Sequence, residues 1–339
     1  MTTSIDQLLI DIMKQYPIAG EWQAIDRESG MNNTTRLIET DTSRFAIRIY
    51  DNHQDRSIVK LEHEVLRYLS DSDFTLQVPV PVLNNARETV TAASTGKLAS
   101  LFRYIDGSRP SSSNAEHIHS LGYAAGLLSR GLANFETTSE PQYKPYYELM
   151  KSYEGWTDEK VLDTAARCSY DSIVLDAIER VLAMRSRLAP LLMELNKLPH
   201  QWIHGDLNFS NAVAVDNEVV GILDFEFCTI DLRAMEPSVV MVDFIHASRT
   251  NEQRLKAFDT FAAGFGEALR LTRSEAEAIP SLMKLRMLDV FLHFAIRCAD
   301  GLDAPEVWKG QIQHADAVCQ WIDERHDELV MLLRNRLGE

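Results

Sequence analysis

Long apolar runs are missing from this 339-residue chain. No stretch approaches the roughly 20 residues that span a bilayer, so no membrane association is expected. The N-terminus has no basic segment followed by an apolar core. Ile5, Leu8, Leu9, Ile12 and Met13 recur instead at helical spacing, which predicts an amphipathic helix within residues 1–19 and not a signal peptide. Cysteine is scarce. Cys168, Cys228, Cys298 and Cys319 are scattered, with neither metal-ligand spacing nor a disulfide framework, as suits a reducing cytoplasm. Positive charge is also short: 34 Lys+Arg stand against 50 Asp+Glu, a net charge of −16. That balance disfavours nucleic acid and anionic membranes as partners. Its first service is solubility, and it also suits a cationic or amine-bearing ligand. There is no repeat and no low-complexity segment, and no G-x-G-x-x-G occurs.

What is present is concentrated in one place. His204-Gly205-Asp206-Leu207-Asn208-Phe209-Ser210-Asn211 is followed by Ile222-Leu223-Asp224-Phe225-Glu226. Between them, Ala212 to Val215 and Val219 to Leu223 are β-prone runs joined by the turn residues Asp216-Asn217, which predicts a hairpin. A hairpin carries the chain out from Asn211 and back to Asp224, bringing an amide and a carboxylate together. Phosphoryl transfer from a nucleotide needs such parts. One carboxylate accepts the proton of an attacking hydroxyl, and an Asn and a second Asp hold Mg²⁺ on the phosphates. The bracket H-x-D-x-x-x-x-N with a later D-F follows the logic of the protein-kinase catalytic loop. Asp206 is therefore the expected catalytic residue, and Asn211 and Asp224 the expected metal ligands.

On these residues the chain resembles the aminoglycoside phosphotransferase, choline kinase and homoserine kinase superfamily. His204-Gly205-Asp206 matches its H-G-D. The run Leu223-Asp224-Phe225-Glu226-Phe227, then Asp231-Leu232-Arg233-Ala234-Met235, is most similar to the homoserine-kinase-like branch. The resemblance implies an α+β, two-lobed, protein-kinase-like fold, with a small antiparallel-sheet lobe and a larger, mainly helical lobe. It implies an ATP- and Mg²⁺-dependent kinase acting on the hydroxyl of a small molecule: an amino alcohol, a homoserine-like amino acid or an aminoglycoside. An atypical protein Ser/Thr kinase is the first alternative, although no A-P-E follows Asp224. A non-catalytic nucleotide-binding protein is the second, and the intact Asp206, Asn211 and Asp224 argue against it.

The rest of the chain divides accordingly. Thr34 to Ile38, Arg44 to Tyr50, Val90 to Ala93 and Leu98 to Tyr104 read as strands, and Ile58 to Leu69 as a helix. Residues 1–104 are expected to form the nucleotide-binding lobe. Residues 105–339 are expected to form the catalytic and acceptor-binding lobe, with helices over Ala115 to Asn134, Tyr170 to Leu195, Glu252 to Leu271, Pro280 to Ala299 and Pro305 to Leu337.

The small lobe carries the nucleotide expectations. Ser29-Gly30-Met31-Asn32-Asn33-Thr34 is the candidate phosphate loop. Gly30 permits close backbone approach, and Asn32 and Asn33 offer donors. By resemblance, Arg48 stands where most relatives carry a phosphate-gripping Lys. Its ion-pair partner by the same register is Glu62, with Glu64 as the alternative. The link Leu101 to Gly107 resembles the segment between lobes that binds the adenine edge through main-chain groups, here those of Arg103 and Ile105. His204 is expected to brace the catalytic loop. Relatives commonly carry Asp where Glu236 stands, which leaves that anchor open.

Overall fold

The structure, a computed structural model, describes residues 4–26, 33–50 and 56–339. Strands β1 (Trp22–Asp26), β2 (Asn33–Thr40), β3 (Arg44–Tyr50), β4 (Thr91–Ala92) and β5 (Leu98–Arg103) form one antiparallel sheet in the order β1-β2-β3-β5-β4. Helix α1 (Ser4–Met13) covers one face, where Leu9, Ile12 and Met13 meet Ile38, Ile47, Ile49 and Leu101. Helix α2 (Arg56–Asp71) lies outside this cluster, and its Leu61, Val65, Leu66 and Leu69 join the core of the larger lobe. Alternation along β3 sorts its side chains as expected. Ile47 and Ile49 are buried in the sheet core, while Ala46 and Arg48 line the cleft on the opposite face.

The larger region is built from α3 (Ala115–Leu132), α4 (Leu149–Ser152), α5 (Asp158–Arg167), α6 (Ser172–Leu188), α7 (Leu192–Leu195), α8 (Met235–Met241), α9 (Asn251–Ala268), α10 (Arg273–Ala299), α11 (Pro305–Glu324) and α12 (His326–Leu337). Two small antiparallel sheets flank the candidate catalytic segment: β6 (His200–Ile203) with β9 (Thr229–Leu232), and the hairpin β7 (Ala212–Val215) with β8 (Glu218–Ile222). The β6–β9 pair carries little sequence signal and was not expected. Among the described residues, no helix is long and apolar enough to cross a membrane.

The first helix ends at Met13, short of the expected residue 19, and three further boundaries differ from the sequence reading for a local reason. The stretch from Tyr170 to Leu195 breaks around Pro190, because proline lacks the N–H that would continue the ladder. Pro280 lies inside α10 and not at its start. A capping box between Thr272 and Glu275 sets the true N-terminus one residue before Arg273. The span Pro305 to Leu337 turns at Arg325, whose ψ of 20° leaves the helical region, and α12 folds back against α9 and α10.

Gly107 is required at the junction of the two regions. Its φ is 143°, and a Cβ there would sit 2.5 Å from the Ala214 carbonyl oxygen. The next residue, Ser108, exchanges two backbone hydrogen bonds with Ala214 (2.9 and 2.7 Å), which pins the inter-lobe link to the hairpin.

Candidate active site

Strand β6 ends at Ile203 and delivers His204-Gly205-Asp206 into the cleft. His204 is buried. Its Nδ1 accepts the Asp206 backbone N–H at 3.2 Å, so Nε2 is the ring nitrogen left to donate to the Leu223 carbonyl, 2.9 Å away. Burial lowers the imidazole's pKa and keeps it neutral. Gly205 has φ 79°, and a Cβ there would stand 3.0 Å from the Phe227 carbonyl oxygen. From behind, the buried Glu236 accepts the His204 backbone N–H at 2.6 Å. Burial pushes the Glu236 carboxyl up to about 7, against the pull of the His204 and Gly205 amides. The longer acid thus reaches the loop that the expected Asp would have braced.

Asn208 shapes the loop that follows. Its Oδ1 accepts the amides of Ser210 and Asn211 (2.8 and 3.1 Å), and its Nδ2 donates to the Asp206 carbonyl at 3.0 Å. Asn211 Nδ2 donates to the Asp206 carbonyl (2.8 Å) and to Asp206 Oδ2 (3.1 Å). Its Oδ1 is thereby turned away from Asp206. The Leu223 amide donates to the Asn211 carbonyl at 2.8 Å, so the hairpin returns Asp224 beside Asn211. Asp224 has a left-handed backbone, φ 66°, a conformation that Asp adopts more readily than most non-glycine residues. Its Oδ1 is buried, and its partner is the Arg48 guanidinium in an ion pair at 3.1 Å. One amide oxygen and one carboxylate are the hard donors that Mg²⁺ takes when it keeps phosphate and water oxygens for its other positions, so these residues fit the metal. Glu226 follows Asp224 by two residues, and its Oε2 accepts from Asn33 Nδ2 at 2.8 Å.

Across the cleft, Arg48 Nη1 lies 2.9 Å from Glu62 Oε1, and Nη2 lies 3.1 Å from Asp224 Oδ1. Burial opposes the Arg48 charge, but the Glu62 and Asp224 carboxylates more than offset it and hold the guanidinium above its usual pKa. Glu62, not Glu64, is thus the partner of Arg48. Glu64 turns instead to the Thr137 hydroxyl at 2.5 Å and to Lys60. Of the candidate phosphate loop, Gly30 and Asn32 lie outside the described residues, and Asn33 begins β2.

Two adjoining cavities share Thr35, Arg48, Arg109, Ser210 and Leu223. The first, about 750 Å³, runs from Arg48 and Glu62 to Arg103, Ile105 and Gly107. The Arg103 amide is already bonded to the Val80 carbonyl at 3.0 Å, so the carbonyl is the group it has to offer a base. The second cavity, about 560 Å³, contains Asp206, Asn211, Asp224 and Glu226 on one side and Arg286, Asp289 and His293 of α10 on the other. Sequence reasoning missed Arg286 and Tyr146. Arg286 Nη2 lies 2.6 Å from Asp206 Oδ1, and Nη1 donates to the Tyr146 hydroxyl at 2.5 Å. No motif marks either residue. Among the described residues, no cluster of three or more His, Cys, Asp or Glu side chains forms a metal site.

The model of the phosphotransferase enzyme family matches residues 24–278, three quarters of the chain. The chain belongs to that family: it is a phosphotransferase of the small-molecule kinase kind. A homoserine kinase of Afipia carboxidovorans is 24% identical over 302 residues, covering 88% of this chain and 85% of that protein. The solved structure of a microcompartment-associated aminopropanol kinase superposes with a TM-score of 0.73 at 17% identity, covering 96% of this chain and 98% of the other. The amicoumacin kinase hAmiN, solved in complex with AMP-PNP, Ca²⁺ and Ami, gives a TM-score of 0.68 at 14% identity, covering 96% of this chain and 94% of the other. These structures establish the protein-kinase-like fold.

Proposed function

We propose that this protein transfers the γ-phosphoryl group of ATP, with Mg²⁺, to a hydroxyl of a small amino-bearing metabolite, homoserine being the first candidate. The observation that carries the reading is the convergence of Asp206, Asn211 and Asp224 on one cavity that opens, past Arg48, into a second of nucleotide size. The relatives named homoserine kinase support the acceptor, and the hAmiN complex with AMP-PNP and Ca²⁺ supports a triphosphate held with a divalent cation.

In this reading the main-chain groups of Arg103 and Ile105 hold the adenine edge. Arg48, oriented by Glu62, grips the phosphates with its planar fork. Asn211 and Asp224 hold the Mg²⁺, which neutralises phosphate charge when bound. Asp206 aligns the acceptor hydroxyl. As the hydroxyl oxygen bonds to the γ-phosphorus, the bond to the ADP oxygen breaks and ADP takes the electron pair. The hydroxyl proton passes to Asp206. A carboxylate is a weak base at neutral pH, so alignment and charge neutralisation supply most of the acceleration. Residues 1–104 then serve the nucleotide and residues 105–339 the acceptor and the chemistry, in a cytoplasmic enzyme.

The test is ADP release from ATP with a panel of L-homoserine, 1-amino-2-propanol, choline and aminoglycosides, with and without Mg²⁺. Acceptor-stimulated, Mg²⁺-dependent turnover on one of them is expected. Nucleotide binding without turnover on any hydroxyl compound would overturn the reading.

A further inference from the structure

We propose that Arg286 is a positioning residue: its guanidinium sets the orientation of the Asp206 carboxylate and, through Tyr146, of the loop that carries it. The inference rests on the reading of Asp206 as the carboxylate that faces the acceptor hydroxyl.

Both oxygens of Asp206 are engaged. Asn211 Nδ2 donates to Oδ2 at 3.1 Å, and Arg286 Nη2 reaches Oδ1 at 2.6 Å. With one donor on each oxygen, the carboxylate plane is fixed. The other arm of the guanidinium is also held. Nη1 donates to the Tyr146 hydroxyl (2.5 Å), which donates in turn to the Gly205 carbonyl (2.7 Å). The Tyr146 main chain is anchored in turn, its backbone N–H donating to Asp231 Oδ2 at 2.5 Å. On the far side, Asp289 Oδ2 lies 3.8 Å from Nη1, and its Oδ1 accepts the Tyr153 hydroxyl at 2.8 Å. Rotating Arg286 therefore breaks its contacts to Asp206 and to the Tyr146 hydroxyl, the group that holds the Gly205 carbonyl. Burial works against the Arg286 charge, but Tyr146 and the carboxylates of Asp206, Asp289 and Asp243 more than offset it. The arginine remains a cation, and a planar one, which no lysine reproduces at a two-armed site. What it contributes is alignment, and a displacement of about 1 Å at the reacting group can cost on the order of a hundredfold in rate.

The experiment uses the full chain carrying Arg286→Met, Arg286→Lys, Tyr146→Phe or Asp206→Asn, and the double variant Arg286→Met/Asp206→Asn. ADP release is measured with ATP and L-homoserine and with ATP alone, water being the acceptor. A fluorescent ATP analogue reports nucleotide affinity. Arg286→Met is expected to lower kcat by about tenfold to a hundredfold, with KM for the acceptor and nucleotide affinity within about threefold. Arg286→Lys should recover part of the loss, and Tyr146→Phe should lose less than Arg286→Met. In the Asp206→Asn background, Arg286→Met should cost almost nothing more, because both changes act through one group. Wild-type kcat in Arg286→Met, the same loss in both backgrounds, or a raised acceptor KM with unchanged kcat would overturn the proposal. If Arg286→Met does not fold, Arg286→Lys and Tyr146→Phe carry the same comparison. Full activity in Asp206→Asn would instead show that the reading of Asp206 itself has failed.

Discussion

Two arginines face the cleft from opposite sides, each mostly buried, with 17% of the Arg48 side chain and 19% of the Arg286 side chain exposed. Arg48 stands on the central strand of the five-stranded sheet, and its main partner, Glu62, follows 14 residues later on the next helix. Arg286 stands in the middle of a 27-residue helix, and Asp206 precedes it by 80 residues. The first pair is built from neighbouring elements and bridges to the expected metal ligand Asp224. The second is assembled across the whole helical region and grips the expected catalytic group. Under the proposed function the contrast separates tasks: charge on the sheet side serves the nucleotide, and charge on the helix side orients the carboxylate that meets the acceptor.

The sharpest way to break this comparison is at Asp206. Asp206→Asn should lower kcat by at least about a hundredfold, the lower end of the range for general acid–base groups, while ATP affinity stays within a few-fold. A variant that loses nucleotide binding as heavily as turnover would merge the two sides into one.

The metal expectation comes next. Asp224→Ala should weaken Mg²⁺-dependent nucleotide binding more than Asn211→Ala, because a carboxylate brings charge where an amide brings only a dipole. Nucleotide titrations at several Mg²⁺ concentrations give the two dependences. If neither changes, the metal is held elsewhere.

Arg48→Ala and Glu62→Ala should each weaken ATP binding more than adenosine binding, and the double variant should lose less than the sum. Equal losses for ATP and adenosine would remove Arg48 from the phosphates and undo the sheet side of the comparison.

The smallest expected effect is on stability. The buried Glu236 carboxyl titrates near 7 in the folded protein instead of its usual 4.5. The native state therefore binds this proton more tightly than the unfolded state does. Its contribution to stability is full below about pH 4.5 and is lost as pH rises through about 7. Glu236→Gln should flatten the fall in unfolding free energy over that window, by no more than about 1.4 kcal/mol per pH unit for a single proton, as read from denaturant unfolding at several pH values. An unchanged slope would show that other buried carboxyls, Asp231 among them, set it.

Legibility in the sequence followed the range of the interactions. Strand β3 was read to the residue, because its alternation of Ile47 and Ile49 with Ala46 and Arg48 is a local period of two. The catalytic hairpin was read because Asp216-Asn217 marks its turn, and Asp216 does adopt a positive φ of 52°. The β6–β9 pair was not read. Its strands have four residues each and lie 25 residues apart, with the hairpin inserted between them. The helix boundaries failed where one local signal outranked another, as at Pro280, which suggested a start that the Thr272–Glu275 capping box overrides.

By itself the amino-acid sequence determined the family, the phosphotransfer chemistry and the candidate residues, because Asp206, Asn211 and Asp224 lie within one loop and one hairpin whose spacing is covalent. Only the tertiary structure shows which groups from distant helices reach them. Helix α10 is buried from Ala276 to Ala295 on several faces, so no apolar stripe reveals which way Arg286 points. Only packing α10 against the catalytic loop, with Tyr146 wedged beside it, brings that guanidinium to Asp206.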